Sequence, residues 1–195
     1  MDFEQLRDSL SRHVSFKYNE WTIAKFKESE CDGLTIKDFD KIIAEREGTT
    51  IIPTQIETKN NIILQNGLAE SAKRDIGTSS TAIDYMSLGT SGTAESESHT
   101  DLQAELSGSP YVRRQLSTLG SRAVVNYTSK YGMLWTTAHV PSSASIPITI
   151  KEAGIHWHAT DASKCHARVA FSDFALDAGD LLVVQINETM ANGTV

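Results

Sequence analysis

From Ala82 to Ile186 the chain breaks into short runs of β-branched, aromatic and aliphatic residues, with Gly, Pro, Ser, Asn or Asp returning about every ten positions. This spacing restricts the fold more than any other feature of the sequence. Parallel strands need a crossover of about a dozen residues or more, usually a helix, between each pair, and these intervals leave no room for one. The expectation is therefore an antiparallel β-sandwich of the jelly-roll or immunoglobulin-like kind. Strand candidates are Ala82–Leu88, stopping at Gly89, then Val112–Leu116, Arg122–Thr128, Met133–Ala138, Ile146–Ile150, Gly154–His158, Cys165–Phe171 and Leu181–Ile186. A polar loop from Thr90 to Thr100 and a short segment from Asp101 to Leu106 follow the first of them.

Charge divides the chain differently. Residues 1–77 carry 25 of its 43 charged side chains, and the rest is rich in Ser, Thr, Ala, Val and Gly. The shift puts a boundary near Gly77 and predicts a helical first part. Phe3, Leu6, Leu10 and Val14 recur at three- and four-residue spacing, as on one helix face. A second helix is expected near Asn19, carrying Trp21, Ile23, Ala24 and Phe26. A third follows Gly33, with Thr35 as N-cap, Asp38 in the capping-box position, Ile36, Phe39, Ile42 and Ile43 as its apolar face, and Gly48 at its end. Thr49 to Glu57 reads as an extended connector or edge strand, and Asn60–Ile76 as a further helix interrupted by Gly67. The predicted organisation is mainly β with an α-helical N-terminal region: 1–59 helical, 60–77 a connecting helix, and 78–195 the sandwich.

A net charge of −7 argues against a nucleic-acid module, which needs clustered basic residues to displace phosphate counterions. The adjacent pairs Lys73-Arg74 and Arg113-Arg114 read as solvated surface pairs. No apolar run approaches the length that spans a bilayer, and the first residues lack the layout of a secretory signal, so a cytoplasmically made protein without a membrane partner is expected. Cys31 and Cys165 are read as free thiols.

Chemistry-bearing motifs are few. Placing Gly33 at position 6 of a calcium loop puts Glu28, Glu30 and Asp32 at positions 1, 3 and 5, but Phe39 stands where the closing carboxylate belongs. A helix–turn–helix is the better reading. The metal candidates are His156 and His158, which share a face if 154–158 is a strand, with Cys165 or His166 brought close by a hairpin. In a trimer the same pair from three copies offers six nitrogens to one ion. The plainer reading puts both imidazoles on a polar face and Trp157 in the core, and no cofactor is then expected. No nucleophile elbow, paired-histidine zinc motif or phosphate loop occurs, so no enzyme activity is expected. Gly89, Glu152 and Gly154 are read as turn or fold residues, Glu152 fixing the turn at Gly154, with an exposed Glu152–Arg168 pair as a further option.

From Asn60 onward the chain resembles a diverse group of virion proteins of tailed bacterial and archaeal viruses. The likeness rests on ordered pieces: Ile83-Asp-Tyr-Met-Ser-Leu-Gly-Thr90, Thr100-Asp-Leu-Gln-Ala-Glu-Leu106, Ile150-Lys-Glu-Ala-Gly-Ile155, Ala167–Phe171, and Gly179-Asp180 with Leu182 and Val184. His156-Trp157-His158 departs from the group, where Phe and a polar loop are usual. The resemblance implies an antiparallel sandwich used as a virion building block: a homo-oligomer, trimer favoured, touching major capsid or tail proteins, as a decoration or head-fibre component or at the neck or tail. Residues 1–59 lie outside it and are the expected attachment region. The alternative is a receptor- or carbohydrate-binding module of a tail fibre, with loops 89–100 and 139–146 as a rim and Trp135 or Trp157 as a stacking platform.

Overall fold

In the computed structural model the described residues are 16–45, 51–61, 63–75, 77–78, 81–125 and 128–191. They form nine strands in two antiparallel sheets. The strands are β1 (Phe16–Lys27), β2 (Gln55–Asn61), β3 (Tyr85–Gly89), β4 (Arg114–Gln115), β5 (Ser121–Val125), β6 (Thr128–Thr136), β7 (Ile148–His156), β8 (Cys165–Leu176) and β9 (Asp180–Ala191). The helices are α1 (Ile36–Glu45), α2 (Gln65–Asp75) and the single turn α3 (Leu116–Leu119). One sheet has the order β2-β1-β9-β6-β5, the other β4-β3-β7-β8. No helix among the described residues is long and apolar enough to cross a membrane.

The helix expected near Asn19 is instead β1, paired along its length with β9 from Phe16↔Ala191 to Lys27↔Asp180. Alternation explains the difference. Trp21 and Ile23 enter the core between the sheets, while Ala24 and Phe26 enter a second cluster on the opposite face. A strand buried on both faces loses its period-2 signature and shows a continuous apolar run. The same pairing corrects the expected split at Gly77. Residues 16–27 and 55–61 are strands of the five-stranded sheet, not part of a separate helical region 1–59. The helix face of Phe3, Leu6, Leu10 and Val14, and the stop at Gly48, lie outside the described residues.

α1 lies where expected. The Asp38 carboxylate accepts hydrogen bonds from the Thr35 backbone N–H (2.8 Å) and hydroxyl (2.7 Å), a local side-chain bond of the kind that starts helices. Ile36 and Phe39 then pack on Phe26, Leu181 and Val183, with Phe26 and Phe39 ring centroids 4.9 Å apart. The calcium reading has no support, because Phe39 is fully buried in this cluster. α2 begins five residues later than Asn60, because Asn60 and Asn61 finish β2 and Ile63 bridges Ala167 on β8. Gly67 suits the middle of α2 because a Cβ there would sit 2.2 Å from the His166 carbonyl oxygen.

The main core contains Trp21, Met133, Trp135 and Val184 from the five-stranded sheet and Met86, Leu88, Ile155 and Val169 from the other. The two sheets thus face each other across one apolar layer. At one side of this layer, side chains of β2 close the gap to β8. The Gln55 amide donates to the Asp173 carbonyl (3.0 Å), Lys59 Nζ donates to the Ala170 carbonyl (2.8 Å), and the Ser172 N–H donates to the Glu57 carboxylate (3.0 Å). The two candidates Ile146–Ile150 and Gly154–His158 are parts of one strand, β7, whose register against β8 shifts between Ile150 and Glu152. Residues 150–155 therefore lie in the interior of β7.

Candidate functional site

Because Met86 and Leu88, Ala153 and Ile155, and Ala167 and Val169 all enter the inter-sheet core, their neighbours Ser87, Glu152, Gly154, His156 and Arg168 point to the opposite face of the four-stranded sheet. Within the segment 90–113, residues 91–105 and the Arg113 side chain lie over that face and turn it into a second interior, while Tyr111 reaches the inter-sheet core. Ser87, Glu152, His156 and Arg168 are each 0% exposed.

Glu152 anchors this cover. Its carboxylate accepts Arg168 Nε (2.6 Å) and the backbone N–H groups of Gln103 (3.0 Å), Ala104 (2.7 Å) and Ser91 (3.4 Å). Arg168 Nη2 donates in turn to the Thr93 carbonyl (2.8 Å), and Glu95 accepts the Ala170 N–H (2.7 Å). Glu152 and Arg168 do pair, as the sequence allowed, but buried rather than exposed. Glu152 holds the 90–113 segment, not a turn at Gly154. Gly89 and Gly154 are needed for close approach. A Cβ on Gly89 would meet Glu152 Oε1 at 2.4 Å and the Ala104 carbonyl oxygen at 2.6 Å; one on Gly154 would meet Leu102 Cδ1 at 2.3 Å.

A second buried cation, Arg113, organises the other end. It donates to both Glu105 oxygens (2.8 and 2.6 Å), to Asp101 Oδ2 (2.7 Å), and to the carbonyls of His158 (3.2 Å) and Asp161 (3.1 Å). The solvated-surface reading of Arg113 is corrected: its side chain is 5% exposed. Burial works against its charge, but Glu105 and Asp101 outweigh that and raise its pKa.

Between the two cations sit Asp101, His156 and Cys165, whose ligand-type atoms all lie within 4.8 Å of one another. His156 Nε2 is 2.6 Å from Ser87 Oγ, and Nδ1 is 3.6 Å from Asp101 Oδ1. At 3.6 Å the second contact is too long for a hydrogen bond. Nδ1 and Oδ1 are both buried without a hydrogen-bond partner. Desolvation, helped by the charge on Arg113, pushes the His156 pKa well below its usual value, so the ring is neutral. Desolvation raises Asp101 to about 6 against the opposing pull of Arg113. Desolvation also pushes the Cys165 thiol well above its usual value, with Asp101 adding to the effect.

The other sequence candidates go elsewhere. β7 ends at His156, so His158 falls in the following bend, exposed, where its Nδ1 accepts the N–H groups of Thr160 (3.2 Å) and Asp161 (3.0 Å). The two histidines therefore do not share a strand face. His166 is buried on another side, 3.0 Å from Glu188 and edge-on to Trp157. Trp135 and Trp157 are 1% and 8% exposed and offer no stacking platform. Asp101 sits in a polar stretch with no periodicity, so sequence reasoning does not single it out. Its only sequence signal is its place between the Thr90–Thr100 loop and Leu102. No protein-family model, curated protein or solved structure matches this chain.

Proposed function

We propose that the chain is a non-enzymatic structural protein of a tailed-virus particle, a jelly-roll or immunoglobulin-like sandwich that assembles as a homo-oligomer, with a trimer favoured. It would sit on the capsid as a decoration or head-fibre component, or at the neck or tail. The virion assignment draws on the ordered motifs of residues 60–195. The observation that carries the assembly reading is the contrast between the two edges of the five-stranded sheet. Side chains seal the β2 edge onto β8, whereas the β5 edge presents Val124 at 75% exposure beside a groove lined by Ile83, Ala123 and Tyr131. Leu119, just before this edge, is 51% exposed. Among the described residues β5 pairs with β6 alone, and an edge strand with exposed apolar side chains next to a groove is a common site for association with another chain. Each Å2 of apolar surface covered there adds roughly 25 cal/mol, and closed symmetric assembly is the usual outcome for copies of one chain.

Two measurements test this. Native mass spectrometry of the full chain should give a homo-oligomer that Val124→Lys shifts toward monomer, and a wild-type monomer at micromolar concentration would refute the assembly reading. Quantitative proteomics of purified particles should find the chain at a fixed copy number, and its absence would refute the virion reading.

A further inference from the structure

We propose that Asp101, His156 and Cys165 form a binding site for one divalent cation of the zinc class, which pins the 90–113 cover to the four-stranded sheet. This goes beyond the virion reading and does not depend on it.

Several observations converge. Carboxylate oxygen, imidazole nitrogen and thiolate sulfur are the donors that zinc takes, and three protein ligands plus a water make a familiar set. With bonds of roughly 2.0–2.3 Å, tetrahedral donors lie about 3.4–3.6 Å apart. Nδ1 and Oδ1 already stand at 3.6 Å, and the whole trio falls within 4.8 Å, so a small side-chain movement closes the set. The two facing atoms are both acceptors once Nε2 carries the ring proton. Buried polar atoms almost always have partners, and here each lacks one. A cation between them satisfies both, which a shared proton at this distance does not.

The surroundings fit the same conclusion. Ser87 Oγ, at 2.6 Å, accepts from Nε2–H and leaves the Nδ1 lone pair free, as outer partners of metal-bound histidines do. Asp101 uses Oδ2 for Arg113, leaving Oδ1 for a single bond to the ion. Four carboxylates, Asp101, Glu105, Glu152 and Glu95, stand with two guanidiniums, Arg113 and Arg168, in this layer. The layer therefore holds negative charge in excess. A dication that displaces the Cys165 thiol proton to solvent adds two positive charges and one negative, which reduces that excess. Gly154 keeps the space clear, since a Cβ there would lie 3.1 Å from His156 Nε2 and 3.4 Å from Cys165 Sγ.

A nucleophilic Ser87–His156–Asp101 relay is the competing reading of the same atoms. It fails on access and geometry: Ser87 is 0% exposed, and the His156–Asp101 contact is not a hydrogen bond.

The test uses full-length Cys31→Ser protein, in which Cys165 is the sole thiol, titrated with Co2+ and then with Zn2+. The expected result is one Co2+ per chain, tetrahedral d–d absorption, a thiolate-to-cobalt charge-transfer band, and loss of both on adding Zn2+. Cys165→Ser in the wild-type background should lose the charge-transfer band, and His158→Ala should keep it. No stoichiometric uptake, or uptake without the charge-transfer band, overturns the proposal. So does a band that survives Cys165→Ser. If Cys165→Ser does not fold, the Cys31→Ser spectrum decides alone.

Discussion

Glu152 and Arg168, on neighbouring strands of the four-stranded sheet, meet at 2.6 Å with both side chains fully buried. Their partners on the far side are backbone groups of 91–104 and the His99 ring, so one ion pair fastens a long irregular segment to the sheet. Breaking a buried pair from one side leaves an uncompensated charge, which typically costs about 3–5 kcal/mol. Arg168→Met is expected to lose stability in that range in urea denaturation. The double variant Glu152→Leu/Arg168→Met should lose less than the sum of the two single variants. A loss below about 1 kcal/mol for Arg168→Met would mean the pair does not anchor the cover.

Gly89→Ala and Gly154→Ala should differ in severity. At Gly89 the new methyl meets a backbone carbonyl as well as Glu152, and the carbonyl cannot swing aside. At Gly154 the nearest atom is the tip of Leu102, which can. Overpacking typically costs about 1–3 kcal/mol. The expected order is a larger loss of Tm for Gly89→Ala, and a Gly154→Ala loss partly restored by Leu102→Ala. Equal losses, or no rescue, would show that 90–113 does not press on these positions.

Acid stability should depend on Asp180. Its side chain is fully buried beside Lys27 Nζ at 2.5 Å and Lys25 Nζ at 3.7 Å. Desolvation pulls its pKa up, but the Lys27 hydrogen bond, the Asp177 N–H and the lysine charges outweigh that and hold it below the usual 3.8. A lowered folded-state pKa gives stability that is complete above the unfolded value and lost as pH falls through the folded one. Unfolding midpoints should therefore drop below about pH 4 in wild type, and Asp180→Asn should flatten that slope while lowering stability at neutral pH. A slope unchanged in Asp180→Asn would assign the acid sensitivity to other carboxylates.

Replacing Gln55, Glu57 and Lys59 together by Ala should unseal β8. Each lost hydrogen bond typically costs about 0.5–1.5 kcal/mol, but the larger effect should be on solubility, because a bared strand edge is a template for pairing. Static light scattering on heating is the readout. Aggregation equal to wild type would show that these side chains do not guard the edge.

How much of this was legible depended on how many faces of an element are covered. β3, β8 and β9 were found near their places, and α1 was found because Thr35 and Asp38 announce its start. β1 reads as a helix because Trp21 and Ile23 face one core while Ala24 and Phe26 face another, so its alternation is invisible in sequence. The Glu152–Arg168 pair could be named, but not its burial, because the covering residues come from a polar loop about fifty positions earlier that carries no hydrophobic signal. His158 groups with His156 only if the strand runs past both; β7 ends between them, and a strand boundary two residues off reverses such an assignment. Asp101 became visible only when the fold set it against His156 and Cys165.

The place of β9 has a consequence for when the protein can fold. It lies between β1 and β6, so residues 180–191 join what would otherwise be two separate pairs, β1 with β2 and β5 with β6. A ribosome-bound chain that has not yet released these residues holds only fragments of the larger sheet. Pairing Phe16 with Ala191 closes a loop of nearly the whole described chain, and such non-local contacts form slowly. Completion of the sheet is therefore a late, nearly all-or-none event, and a chain cut short before residue 180 should be left to degradation rather than assembly.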